Sequence, residues 1–157
     1  MGDSSKLAQL EKNLKSVLAK NIMTKAVLTV KEDLHLTELA AMMLEKRISG
    51  LPVVDADGKM TGVITQTDLF NLMFMLRSGD IVEEGEKAVS NPTVKFAMCV
   101  DVISIKEETT LAEIIDIMKG RDIHTLPVMK DNKLVGIIGR RDVLKHFYAV
   151  LNGVFGA

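Results

Sequence analysis

At 157 residues, with 47% hydrophobic and 26% charged side chains, the chain has the apolar content for a folded core and the length for one domain or two very small ones. A formal net charge of −1 excludes a protein built to neutralise a nucleic-acid backbone, which needs a basic surface. A single cysteine, Cys99, excludes an internal disulfide and a cysteine-based zinc site, and His35, His124 and His146 show no metal-ligand spacing.

In chain order, residues 5–19 carry Leu7, Leu10, Leu14, Val17 and Leu18 on one helical face, which predicts a leading helix. Acids and lysines between these leucines distinguish the segment from a signal peptide, so a reducing, cytoplasmic setting is expected. Val27-Leu28-Thr29-Val30 reads as a short strand, and residues 36–46 as an amphipathic helix. Leu51-Pro52-Val53-Val54 reads as a buried strand with proline near its start, Asp57-Gly58 as a turn, and residues 60–65 as the returning strand. A further helix begins near Asp68 and runs into Leu69–Leu76, an apolar run too short to span a bilayer. Residues 77–95 hold Gly79, Gly85, Pro92 and the acids Glu83, Glu84 and Glu86 without a period, and read as a linker.

The same series then recurs. Val102-Ile103-Ser104-Ile105 is a strand, residues 111–119 a helix with Gly120 at its end, residues 126–129 a strand, Asp131-Asn132 a turn, residues 134–138 a strand, and a last helix starts near Asp142. Displaced by 75 residues, Val27, Lys31, Glu32, Leu36, Glu38, Met43, Ile48, Leu51, Pro52 and Val53 meet identical residues. After a one-residue difference in the turn the displacement is 74, and Lys59, Gly62, Ile64 and Asp68 meet Lys133, Gly136, Ile138 and Asp142. The chain is a duplication. The expected fold class is α/β (α+β), two pseudo-symmetric β-α-β-β-α repeats. Each three-stranded sheet is too small to stand comfortably alone, so sheet-to-sheet packing is expected. The expected layout is a leading helix over residues 1–20, repeats over 21–76 and 96–151 separated by the linker, and a tail over 152–157.

Three strings in the first repeat are diagnostic: Met23-Thr24-Lys25, Ile48-Ser49-Gly50-Leu51-Pro52-Val53-Val54-Asp55 and Gly62-Val63-Ile64-Thr65-Gln66-Thr67-Asp68-Leu69. The second has Asp122-Ile123-His124-Thr125-Leu126-Pro127-Val128 and Gly136-Ile137-Ile138-Gly139-Arg140-Arg141-Asp142-Val143. This ordered set, present twice over roughly residues 17–151, resembles the cystathionine-beta-synthase (CBS) domain pair, or Bateman module. The resemblance implies a non-catalytic regulatory module whose clefts hold AMP, ADP, ATP or S-adenosylmethionine. Such modules regulate attached enzymes and channels or stand alone as small dimers, and the chain resembles the stand-alone kind.

The family's Ser/Thr-x-x-Asp motif is matched by Thr65 and Asp68, an aspartate for the ribose hydroxyls and a hydroxyl beside free helix N–H groups for a phosphate. By spacing alone the same residues form a helix capping box. In the second repeat Asp142 is kept, but Gly139 replaces the hydroxyl residue. Arg140 and Arg141 follow at a helix start, where cations oppose the dipole unless an anion sits between them or both point into water. By resemblance, His124 and its counterpart Ser49 face phosphates, and adenine is held near Val27 and Val102 with Ile48 and Ile123. Pro52 and Pro127 complete the implied ligand-binding set. No cofactor is required.

Three classes follow: a ligand-sensing module, a structural dimerisation module with vestigial clefts, and an enzyme. The last fares worst, since no phosphate-cradling Gly-x-x-x-x-Gly-Lys loop, paired nucleophile and base, or metal cluster occurs. Apolar residues nearly all round residues 69–76, and again over 143–151, point to a homodimer through these helices, unless the leading helix covers them. A regulated partner protein is implied, with neither nucleic acid nor membrane.

Overall fold

The computed structural model describes residues 2–78, 83–84, 87–88 and 91–156. Along it run α1 (Gly2–Ser16), the single-turn α2 (Ala19–Ile22), β1 (Val30–Lys31), α3 (Leu36–Lys46), β2 (Gly50–Val54), β3 (Met60–Thr65) and α4 (Gln66–Arg77). The antiparallel pair β4 (Glu83–Glu84) and β5 (Lys87–Ala88), the short α5 (Val94–Ala97) and β6 (Ile105–Lys106) come next. The chain ends with α6 (Leu111–Arg121), β7 (Thr125–Lys130), β8 (Lys133–Gly139) and α7 (Arg140–Phe155). Much of the expected linker, residues 79–82, 85–86 and 89–90, lies outside the described residues.

Two units divide this chain, one continuous, Leu28–Val102, and one assembled from both ends, Met1–Val27 with Ile103–Ala157. They are hereafter the middle and the terminal unit. In the middle unit β1 pairs parallel to β2, and β2 antiparallel to β3. In the terminal unit β6, β7 and β8 repeat that pattern. Leu51, Val53 and Ile64 anchor the first sheet and Leu126, Val128 and Ile138 the second, all at most 2% exposed. Leu36, Leu39 and Met43 of α3, and Leu111, Ile114 and Met118 of α6, seal one side of each sheet at the spacing of an amphipathic helix.

The expected strands at 27–30 and 102–105 shrink to β1 and β6, whose ladders begin at Val30 and Ile105. Val27 closes one unit and Leu28 opens the other, and Val102 and Ile103 do the same in reverse, so these residues carry the chain across instead of pairing. Gly120 does not end its helix either. α6 continues to Arg121, and Asp122 takes the left-handed position (φ 51°), as Arg47 (φ 53°) does after α3. The short polar side chain of Asp122 tolerates that conformation, which arginine has no such reason to adopt. Asp131 and Asn132 (φ 50° and 62°) make the two-residue turn that suits a twisted hairpin.

Each unit is completed by a strap from outside its own strand–helix–strand–strand–helix series. In the terminal unit Ala19 N–H donates to Thr109 O (2.7 Å), Lys20 N–H to Glu107 O (3.0 Å) and Leu111 N–H to Val17 O (2.8 Å), and Thr24 exchanges both backbone bonds with Ile137. In the middle unit Val94 N–H donates to Leu34 O (2.8 Å), Lys95 N–H to Glu32 O (3.0 Å) and Leu36 N–H to Pro92 O (2.9 Å), and Cys99 exchanges both bonds with Val63. Every bond of one set has its counterpart in the other, displaced by 75 residues or, after the turn, 74. Ala19 and Val94 are both fully buried. The segment leading each repeat thus packs on the sheet of the other repeat.

Candidate functional site

Thr65 ends β3 in extended conformation and caps α4. Its hydroxyl accepts from Asp68 N–H (3.4 Å), while Asp68 Oδ2 accepts from Thr65 N–H (2.8 Å) and from the Thr65 hydroxyl (3.0 Å). This is the capping box that the spacing allows, closed on itself and half-buried. The neighbouring strand end brings Ser49 beside it: Ser49 O accepts from Gln66 N–H (2.9 Å), and Gly50 pairs with Thr65. Gln66 Nε2 reaches Ile48 O at 3.5 Å. Thr65, Asp68, Ser49 and Ile48 are therefore one constellation at the start of α4, where the N–H groups of Thr65, Gln66 and Asp68 are already bonded and the positive end of the helix dipole favours an oxygen ligand.

The terminal unit builds the matching constellation with different side chains. Helix α7 starts at Arg140, earlier than expected, so Arg140, Arg141 and Asp142 fill its first three positions. Gly139 caps it without a side chain, and its N–H still donates to Asp142 Oδ2 (2.9 Å). Arg140 N–H donates to His124 O (3.1 Å), the counterpart of Gln66 to Ser49. Arg141 is exposed and forms no ion pair among the described residues. His124 and Arg140 converge instead on Asp122, with Oδ1 3.4 Å from His124 Nε2 and 3.8 Å from Arg140 Nη2. Sequence reasoning missed Asp122. The available signal was a carboxylate two residues before His124, hidden by the adjacent glycine that looked like the helix end.

The remaining expected residues are placed differently. Pro52 and Pro127 are buried in β2 and β7, opposite Val63 and Ile137. Ile48 and Ile123 are half-buried at the margins of the two cores. Val27 belongs to the terminal unit and Val102 to the middle unit, so neither shares a unit with the start of the final helix in its own repeat. An open depression of about 500 Å³ in the terminal unit is lined by Lys20, Asn21, Met23, Lys25, Glu107 and Val135, none of them expected site residues. Among the described residues no group of histidine, cysteine and acidic side chains is arranged to hold a metal, and no helix is long and apolar enough to cross a membrane.

The profile of the CBS domain matches twice, over residues 19–74 and 94–149. Inosine-5'-monophosphate dehydrogenase of Methanocaldococcus jannaschii is 35% identical over 130 residues, covering 81% of this chain and 23% of the enzyme. That similarity is confined to a domain, and this chain spans half or less of three such curated relatives from that organism. Among solved structures, the CBS domain pair of protein MJ0100 in complex with 5'-methylthioadenosine and S-adenosyl-L-methionine superposes with a TM-score of 0.70 at 25% identity, over 85% of this chain and 97% of that one. CBSX2 in complex with AMP superposes with a TM-score of 0.72 at 23% identity, over 86% of this chain and 98% of that one, a likeness of fold. A twofold profile match, a duplicated strand–helix–strand–strand–helix core and structural neighbours of the same architecture agree: the chain belongs to the CBS domain family, as a tandem pair of CBS domains.

Proposed function

We propose that this chain is a regulatory module that binds an adenosine-containing ligand (AMP, ADP or ATP) and conveys its occupancy to a partner protein, with no reaction of its own. The observation that carries the proposal is the Thr65–Asp68 pair at the start of α4 with Ser49 beside it. Asp68 already accepts two hydrogen bonds through one oxygen. Exchanging its hydroxyl partner for ribose hydroxyls, which frees the Thr65 hydroxyl to donate to a phosphate oxygen at the positive end of α4, needs no change of fold. The complexes of MJ0100 and CBSX2 support adenosine ligands as the class. Calorimetry of nucleotide-free protein with AMP, ADP, ATP, S-adenosylmethionine and GTP tests the reading. Selective adenosine binding is expected, and no binding by any adenosine ligand would overturn it.

A structural dimerisation module is the second reading, favoured by a capping box that is satisfied without ligand and by the hydroxyl missing at Gly139. Both readings share a homodimer. Phe70, Met73 and Phe74 of α4 are 67%, 56% and 71% exposed, and Leu144 and Tyr148 of α7, the counterparts of Phe70 and Phe74, are 69% and 66% exposed. α1 packs against α6 and α7 and helps cover Phe147 and Val150, yet leaves Leu144 and Tyr148 open. Large apolar side chains in solvent on each of these helices support association through them.

A further inference from the structure

The two constellations differ most in charge, and the difference is systematic. The left-handed residue after the first long helix of each repeat is Arg47 in the middle unit and Asp122 in the terminal unit. Two residues on stand Ser49 and His124, and the first position of the last helix holds Gln66 and Arg140. Where the middle unit has one cation and two neutral groups, the terminal unit has an acid between a histidine and an arginine. Asp122 is 90% exposed in its side chain, and its carboxylate nevertheless lies against both His124 and Arg140. The oxygen it presents is of the kind a phosphate would offer to the same two groups.

We infer that Asp122 is a specificity-determining residue, an internal counter-anion that excludes phosphate groups from the His124–Arg140 pair. An adenosine ligand is then accepted at the terminal unit by preference when its 5' substituent carries no negative charge, as in a thioether, while phosphate-bearing ligands go to the Thr65–Asp68 constellation. This selectivity rests on the adenosine-binding reading, whereas the exclusion of anions does not. Gly139 points the same way, because the hydroxyl that would hold a phosphate oxygen is absent there. Asp142 keeps its carboxylate at the helix start for the ribose.

Asp122→Asn removes the charge and keeps the shape, and asparagine is at home in the left-handed conformation. Wild type and variant are titrated with inorganic pyrophosphate, AMP and 5'-methylthioadenosine, with affinities read from the amide and side-chain NMR signals of His124 and Arg140. Pyrophosphate and AMP are expected to bind the variant about fivefold more tightly at low salt, the scale of one unit charge about 4 Å away in water. 5'-Methylthioadenosine is expected to change less than about twofold, since its 5' substituent carries no charge for Asp122 to oppose. Arg47→Asp, which places aspartate at the backbone position Asp122 already occupies in the other repeat, is expected to weaken AMP at Thr65 and Asp68. Unchanged pyrophosphate affinity in Asp122→Asn overturns the inference, and so does an equal gain by AMP and 5'-methylthioadenosine. Tighter pyrophosphate with no adenosine ligand bound by either protein defeats the adenosine reading and leaves the anion exclusion by Asp122 standing.

Discussion

Both contacts from the Asp68 carboxylate to Thr65 run through Oδ2, at 2.8 and 3.0 Å, so an asparagine can put its amide oxygen in the same place and keep the cap. What Asp68→Asn loses is the negative charge at a helix N-terminus, about 0.3–1 kcal/mol, and the second acceptor oxygen. A ribose diol uses that acceptor, and hydrogen bonds to a charged group contribute about 1.5–3 kcal/mol. The expected outcome is a melting temperature lowered by a few degrees and AMP affinity lowered about ten- to a hundredfold. Thermal melts and calorimetry on the same samples separate the two, and a collapsed melting temperature with unchanged affinity would make Asp68 a cap alone. The capping role of Asp68 was legible in the sequence, because Thr-x-x-Asp stands at a strand–helix junction, whereas its role toward ribose comes from the family resemblance and is part of the proposal. The role of Asp122 was not legible, since a helix end is read from its glycine and α6 runs past Gly120.

The straps can be tested through the two glycines they cross. A Cβ on Gly62 would stand 2.8 Å from Cys99 O and 2.8 Å from Met98 Sδ, and the first of these is backbone held by two ladder bonds. On Gly136 the three nearest atoms are the Met23 Sδ, Cγ (2.7 Å) and Cβ (3.0 Å), all in one adaptable thioether side chain. Gly62→Ala is therefore expected to cost about 1–3 kcal/mol by overpacking, and Gly136→Ala clearly less. Denaturant unfolding of the two variants ranks them, and the reverse order would show that the strap bearing Cys99 yields more easily than Met23. The last helices carry the other test at this scale. Phe74→Glu places a charge in the apolar face of α4 and is expected to turn a dimer into a monomer in light scattering. A wild-type chain that is already monomeric at micromolar concentration would remove the homodimer.

The repeat was legible because fourteen identities fall in order at two displacements, and periodicity found α3, α6 and the paired strands β2, β3, β7 and β8, while the single-turn helices α2 and α5 are too short to show a period. Which sheet each leading segment covers was not legible. Residues 18–24 and 93–99 are themselves related by the duplication, so either sheet offers either strap the same bonding groups. The compact units consequently follow the chain differently from the repeats: Leu28–Val102 is continuous, and the terminal unit is split around it. That nesting sets an order of events during synthesis. A ribosome releases the middle unit with all its parts, whereas Leu14, Ala19 and Ile22 must wait for Ile114, Leu126 and Ile138 before their apolar surface is covered. A chain halted at Val102 should give dispersed NMR signals for Leu28–Val102 and random-coil signals for Met1–Val27. The apolar side chains between Leu14 and Ile22 therefore stay uncovered on a nascent chain until the second repeat has been made as far as Ile138.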